Sequence, residues 1–259
     1  MIRRPLLDVS DVVVRYGPVV AVDGATLSVG DGELVALIGP NGAGKTSLFN
    51  AIAGVLRPEE GSVRLDGEPL DGLPPHIRAR RGLARTFQGG RLFSRMTLRE
   101  NLEVAHYERG RSGLASGCLG GPLARRDRHR DRRLAGSVLE AMDLADFADL
   151  PCASLPFGMQ RRAEVARALC LEPRILLLDE PSAGLDPAES AALAATIVRL
   201  RDTTGLAVLL IEHDMTFVMN ISDYIYVLDF GVSLAEGTPQ QVRSDPAVVA
   251  AYLGVDVVA

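Results

Sequence analysis

The chain has a single lysine; every other cation among its 28 lysine and arginine side chains is an arginine. Cysteine is scarce too. Cys118, Cys152 and Cys170 form an odd set with no Cys-x-x-Cys pair, which speaks against a disulfide framework or a zinc site and fits a reducing compartment. Long apolar runs are missing: LAVLLI at 206–211 falls far short of the roughly 20 residues a membrane span needs. The opening MIRRPLLDVSD turns acidic before an apolar stretch develops, so it does not read as a signal peptide, and membrane association is expected only through a partner. Positive charge is not in excess. With 28 basic against 33 acidic residues there is no net field to draw a polyanion, and nucleic-acid binding is not expected. The one basic run, ARRDRHRDRR at 124–133, has interspersed aspartates and no aromatic side chain, so it reads as a solvated helix face. No internal repeat and no low-complexity linker divides the chain.

What is present is a core. Hydrophobic residues make up 47% of the 259, enough for a sizeable α/β domain. Residues 6–29 alternate apolar and polar with turn signals at Gly17 and Gly24, the pattern of antiparallel strands, and LVALI at 34–38 follows as a continuously apolar, buried strand. KTSLFNAIAGVL then reads as a helix ending near Gly54. From about 95 to 170 the strand signal nearly vanishes, and TLRENLEVAHYER, RRLAGSVLEAMDLADF and QRRAEVARALCLE read as helices. Two buried strands return at ILLLD (175–179) and AVLLIE (207–212), with helix 188–202 between them as a βαβ unit. YIYVLDFGVSLAEG reads as a hairpin turning near Gly231, and PQQVRSDPAVVAAYLG as short terminal helices.

The lone lysine stands in GPNGAGKTS, residues 39–47. Gly39, Gly44, Lys45 and Thr46 satisfy G-x-x-x-x-G-K-[ST], after a predicted strand and at the start of a predicted helix. Pro40, Asn41, Gly42, Ala43 and Ser47 complete the loop. Glycines let the backbone wrap closely around phosphates, and the helix N-terminus adds positive potential. Lys45 would place a compact ammonium on the β- and γ-phosphates, and the Thr46 hydroxyl would ligate Mg²⁺. Arginine's broad planar fork does not replace that point charge, which accounts for the one position where lysine is kept.

Asp179 and Glu180 lie at the carboxyl end of a buried strand, where α/β sheets place their ligands. Asp179 is expected to hold Mg²⁺ through its water shell, and Glu180 to polarise an attacking water as general base. His213, just past the next buried strand, is expected at the γ-phosphate. Gln88, in RTFQGG, reads either as a bridge between Mg²⁺ or water and the helical region or as a polar loop residue. Tyr16, in VVRYG, reads either as a platform for adenine or as a strand-edge tyrosine.

With these residues in place the chain resembles the ATP-binding subunits of ABC transporters, from about Leu6 to Gly254. Tyr16 matches the adenine-stacking loop, GPNGAGKTS the Walker A loop, Gln88 the Q-loop, LPFGMQRRAEVARAL the signature region, ILLLDE Walker B, SAGLD with Asp186 the D-loop, and His213 the switch histidine. RTFQGGRLFSRMTLRENL, LLIEHDM, ISDYIYVLDFG and GTPQQVRSDPAVVAAYLG look like one of the two ATPases of branched-chain amino-acid uptake systems.

The resemblance implies a P-loop NTPase core, a mixed sheet flanked by helices, with an N-terminal antiparallel β-subdomain and a helical insertion subdomain. The whole chain would be one ABC ATPase domain, with residues 1–94 and 171–259 forming the core and about 95–170 the helical subdomain. It implies ATP and Mg²⁺ as ligands. The implied partners are a sister ATPase in a heterodimer, two transmembrane permease subunits and, indirectly, an extracytoplasmic substrate-binding protein. The place would be the cytoplasmic face of the plasma membrane. Urea import, lipid export, or a soluble ABC ATPase acting on ribosomes or nucleic acid are the alternatives.

In ABC dimers the signature closes over ATP held by the opposite subunit, and here its five positions are Leu155, Pro156, Phe157, Gly158 and Met159 instead of Leu-Ser-Gly-Gly-Gln. Pro156 offers neither hydroxyl nor N–H, and Met159 replaces the usual glutamine or glutamate. Weaker contacts are therefore expected at the composite site that uses this signature.

Overall fold

The computed structural model describes residues 5–86, 92–107 and 122–253. Strands β1 (Leu7–Tyr16), β2 (Val19–Val29), β4 (Glu60–Leu65) and β5 (Glu68–Pro69) form an antiparallel sheet in the order β2-β1-β4-β5. A second sheet runs β10-β9-β3-β8-β7-β6, built from β3 (Leu34–Ile38), β6 (Leu83–Arg85), β7 (Ile175–Asp179), β8 (Ala207–Ile211), β9 (Tyr224–Asp229) and β10 (Val232–Gly237). Its neighbours are parallel except the β9–β10 hairpin, so the architecture is α/β with a mixed sheet beside an antiparallel one.

Period-two alternation sorts the mixed sheet's side chains into two cores. Leu34, Ala36, Ile38, Leu176, Leu178, Val208 and Leu210 face one way, toward helices α3 (Leu98–Tyr107), α4 (Pro122–Ala141), α5 (Phe157–Leu169), α6 (Pro187–Thr204) and α7 (Met215–Ile221). Val35, Leu37, Leu177, Leu209 and Ile211 face the other way, against α1 (Lys45–Ala53) and the inner side of the antiparallel sheet. Strands buried on both faces have no polar side to alternate, which is why they read as continuous apolar runs.

The predicted helices and strands are found, with two differences. The helix read over RRLAGSVLEAMDLADF starts earlier, at Pro122, and ends at Ala141, where Asp143 turns left-handed (φ 56°) and sets off 145–147 as a separate 3₁₀ turn. Gly17 is in the β1–β2 turn, but Gly24 lies inside β2 at φ 72°. There the register slips from Val12 opposite Ala25 to Val14 opposite Val22, so the glycine marks a bulge in a long strand rather than a second turn. The far end of α1 is closed by α2 (Pro75–Arg80): the buried Arg78 guanidinium donates to the carbonyls of Ala51 (2.9 Å) and Ile52 (2.6 Å), both in the last turn of α1. A cation on those carbonyls complements the helix dipole and anchors the helix that leads from the glycine loop. Two short helices, α8 (Pro239–Ser244) and α9 (Pro246–Leu253), complete the described chain. Among the described residues no helix is long and apolar enough to cross a membrane.

Candidate functional site

Parallel pairing brings three strand ends to one edge. β8 lies between β3 and β7, and Ile211 pairs with Leu37 on one side and Asp179 on the other. The segments leaving β3, β7 and β8 therefore emerge together, carrying the glycine loop, Asp179–Glu180 and Glu212–His213. Carboxyl ends of adjacent parallel strands are where open α/β sheets bind ligands.

The loop from Gly39 to Gly44 is held by backbone from two other strands. A Cβ added at Gly39 (φ 150°) would stand 2.0 Å from the carbonyl oxygen of Leu228, and one at Gly44 (φ 95°) would stand 2.1 Å from that of Ala21. Ala43 O accepts the N–H of Gly231 at 3.0 Å, tying the β9–β10 turn to the loop. The α1 N-terminus has no side-chain cap at Gly44. The first N–H groups of a helix have no partners within it, and together they make a positive, hydrogen-bonding end.

Lys45 is buried, and its Nζ donates to the carbonyls of Gly39 (2.7 Å) and Pro40 (2.9 Å). Burial holds its ammonium below the ordinary lysine range, while the charge of Glu180 acts in the opposite sense. That coupling relates the lysine to the acidic strand end across the sheet. Thr46 is exposed on the first turn, and Asn41 and Gly42 face solvent.

Asp179 is buried and accepts from Arg85 Nη2 at 2.7 Å, while Arg85 Nη1 donates to Asn50 Oδ1 at 2.6 Å and its guanidinium lies 5.1 Å from the Phe49 ring centroid. Arg85 thus joins α1 to the end of β7, a link that sequence reading missed. Glu180 sits at φ 47°, a conformation that non-glycine residues adopt rarely and that clusters at functional sites. Its Oε1 is 3.0 Å from His213 Nε2, so the two side chains predicted to act on one phosphate meet directly.

Tyr16 is half exposed at the end of β1, opposite Val19; β2 runs on from there to Ala21, which backs Gly44. Gln88 lies outside the described residues. The five-residue signature is not brought to the strand-end cluster; it starts α5, with Leu155 buried, Pro156 as N-cap without a side-chain cap, and Phe157 exposed beneath Arg161, 5.0 Å from the ring centroid. A Cβ at Gly158 would meet Glu189 Oε1 at 2.5 Å, and one at Gly184 would meet the Phe157 ring at 2.9 Å. The signature and the SAGLD segment therefore pack on each other within the chain. Asp186 is the N-cap of α6: it accepts the Glu189 N–H at 2.8 Å in a capping box, a role legible in the D-x-x-E spacing but not anticipated. Met159 is partly buried against the helical core.

The oxygen donors present, the Thr46 hydroxyl and the Asp179 carboxylate, suit a hard cation that takes one or two protein ligands and completes its shell with phosphate and water. Among the described residues no group of three His, Cys, Asp or Glu gathers as a metal cage.

A family model described as "ABC transporter" matches residues 22–183, and one described as "Branched-chain amino acid ATP-binding cassette transporter" matches residues 234–258. The high-affinity branched-chain amino acid transport ATP-binding protein BraF of Pseudomonas aeruginosa is 47% identical over 251 residues, covering 97% of this chain and 98% of BraF. The solved ADP conformation of an ATP-binding cassette from an ABC transporter is 31% identical with a TM-score of 0.85, over 97% of this chain and 99% of that one. A dimeric bacterial ABC transporter cassette is 25% identical with a TM-score of 0.75, over 90% and 98% respectively.

Proposed function

The chain belongs to the ABC transporter ATP-binding family, and from that premise we propose that it is the ATP-hydrolysing subunit of an importer for branched-chain amino acids. The observation that carries the proposal is the convergence at one sheet edge of the P-loop lysine, Asp179 and the Glu180–His213 pair. The cargo rests on the 234–258 match and on the likeness to BraF.

In this reading Gly39–Ser47 wrap the phosphates with backbone N–H groups. Lys45 exchanges its two carbonyl partners for β- and γ-phosphate oxygens. Thr46 and Asp179 would hold Mg²⁺, which when bound would supply positive charge to the phosphates. Glu180 takes a proton from the attacking water, and His213 Nε2 fixes its carboxylate beside the γ-phosphate. Tyr16 stacks on adenine, and Gln88 relays the state of the site to the helical region. Leu155–Met159 and Asp186 face a sister ATPase and complete the site in that subunit. Uncapped helix N-termini suit this division of labour, because each leaves N–H groups for a phosphate.

A cavity in the chain supports permease contact in this reading as well. A cavity of about 400 Å³ opens between the mixed sheet and the helical region, lined by Thr86, Phe93, Val104, Ala105 and Arg167 among others, and Phe93 and Val104 are exposed there. Thr86 lies two residues before Gln88, so an inserted permease segment would press on the nucleotide-sensing loop. The chain would sit on the cytoplasmic face of the membrane through these subunits, with an extracytoplasmic binding protein acting at a distance.

The test uses a tagged Glu180→Gln variant, solubilised from native membranes with MgATP. We expect a second ATPase and two permeases to co-purify, ATP to bind, and turnover to fall about 100-fold or more. Recovery of ribosomes or nucleic acid without membrane protein, or near-normal turnover, would overturn the assignment.

A further inference from the structure

The Glu212 carboxylate directly follows β8 and is 2% exposed, yet among the described residues no cation pairs with it. Its partners are backbone N–H groups from two different loops. Oε1 accepts from Ser182 at 2.7 Å. Oε2 accepts from His213 at 2.9 Å and from Asp214 at 3.4 Å. Ser182 follows Glu180 by two residues, in a turn where the Ala183 N–H donates to the Glu180 carbonyl at 3.2 Å. One buried anion thus fastens the loop that presents Glu180 to the loop that presents His213.

We propose that Glu212 is a positioning residue for hydrolysis, sharing its two oxygens between these loops so that Glu180 and His213 are held in register. Three features of its chemistry support this. Bonds from N–H groups to a carboxylate are charge-assisted, short and directional. The positive φ of Glu180 is a strained conformation, which persists only when the surroundings over-determine it. The Ser182–Glu212 bond supplies that constraint from across the sheet, beside the Glu180 N–H bond to the Ile211 carbonyl at 2.9 Å. Finally, only a carboxylate accepts on both oxygens. Glutamine has the same shape but one acceptor, so its NH₂ would face N–H groups of one loop and release it.

The proposal rests on the ATPase reading, and the experiment separates the two. In the complex purified through this chain, Glu212→Gln is expected to lower turnover about tenfold, with MgATP affinity unchanged within about twofold because the P-loop is untouched. Amide hydrogen exchange should quicken together at Ser182 and His213. In a His213→Ala background the further loss from Glu212→Gln should shrink to less than about twofold, since the register between Glu180 and the imidazole no longer matters once the imidazole is gone. Glu212→Asp, which keeps both acceptors one carbon short, should fall between wild type and Glu212→Gln, and it serves as the second variant if the glutamine form folds poorly. Unchanged turnover in a folded Glu212→Gln protein, or a full tenfold further loss in the His213→Ala background, would overturn the positioning role. A wild-type complex without hydrolysis would instead overturn the ATPase reading, while the exchange measurement would still decide whether Glu212 ties the loops.

Discussion

Among the described residues α1, α2 and α5 start without a side-chain cap, and α1 and α5, the two expected from the sequence to meet a phosphate, are built in opposite ways. α1 begins at Gly44 in a left-handed conformation, backed by the Ala21 carbonyl, with a buried lysine as its first residue. α5 begins at Pro156 in an extended conformation, with Phe157 exposed and Arg161 over its ring. The neighbouring α6 and α7 are capped by Asp186 and Asp214, and α8 by Thr238. A capping oxygen satisfies the N–H groups that would otherwise meet an anion, so a cap and a phosphate site compete for the same donors. In the proposed reading α1 is the enclosed half-site, walled by this chain's own strand backbone and carrying its lysine. α5 presents its end outward, as a half-site waiting for the ligand of another subunit would.

The comparison breaks most violently at the glycines. Gly44→Ala adds a Cβ 2.1 Å from Ala21 O at φ 95°, combining backbone strain with a clash against a strand that cannot give. A cost of about 3–5 kcal/mol is expected, read as a large drop in the urea midpoint, or as failure to accumulate folded protein. Gly42, which has open space around its Cβ position, is the internal control: Gly42→Ala should pay only for its φ of 82° and remain folded. Next in size is Lys45→Arg. The fold should tolerate a second cation, but the guanidinium is too broad for the slot in which Nζ reaches Gly39 O and Pro40 O. MgATP affinity should fall about 100-fold by fluorescent-nucleotide titration, equivalent to about 2.7 kcal/mol. Retained affinity would mean that charge alone, not size, explains the single lysine.

How much of this could be read from the residues depended on whether the geometry is local. The P-loop was legible because its requirements lie within nine consecutive positions. The strands carrying Asp179, Glu180 and His213 were legible because burial on both faces writes an uninterrupted apolar run. The 3.0 Å meeting of Glu180 with His213 was not, because it follows from the β7–β8 register, which no single segment specifies. Arg85 looked like one arginine among many until β6 paired with β7 and set it against Asp179. Glu212 looked like the polar end of a strand, when it is a buried acceptor for two loops. Gly24 misled for the opposite reason: a bulge and a turn demand the same positive φ, and only the partner strand tells them apart.

The smallest expected effect probes α5. Pro156 is the N-cap of that helix, and serine there would gain a hydroxyl with two possible partners, the helix's own first-turn N–H groups or the γ-phosphate of the sister subunit's ATP. The two uses have separate signatures. If the hydroxyl turns inward, Pro156→Ser stabilises the isolated chain by about 1 kcal/mol and leaves turnover of the complex unchanged. If it reaches the phosphate, Pro156→Ser combined with Met159→Gln raises turnover of the assembled complex a few-fold, about one hydrogen bond's worth, with little change in the isolated chain's stability. We expect the second result, because Phe157 is exposed and the N-cap is turned toward solvent, where a partner subunit would supply the acceptor. A gain in stability without a gain in turnover would show that α5 differs from α1 only in lacking a cap, and would remove the ground for calling it an outward-facing half-site.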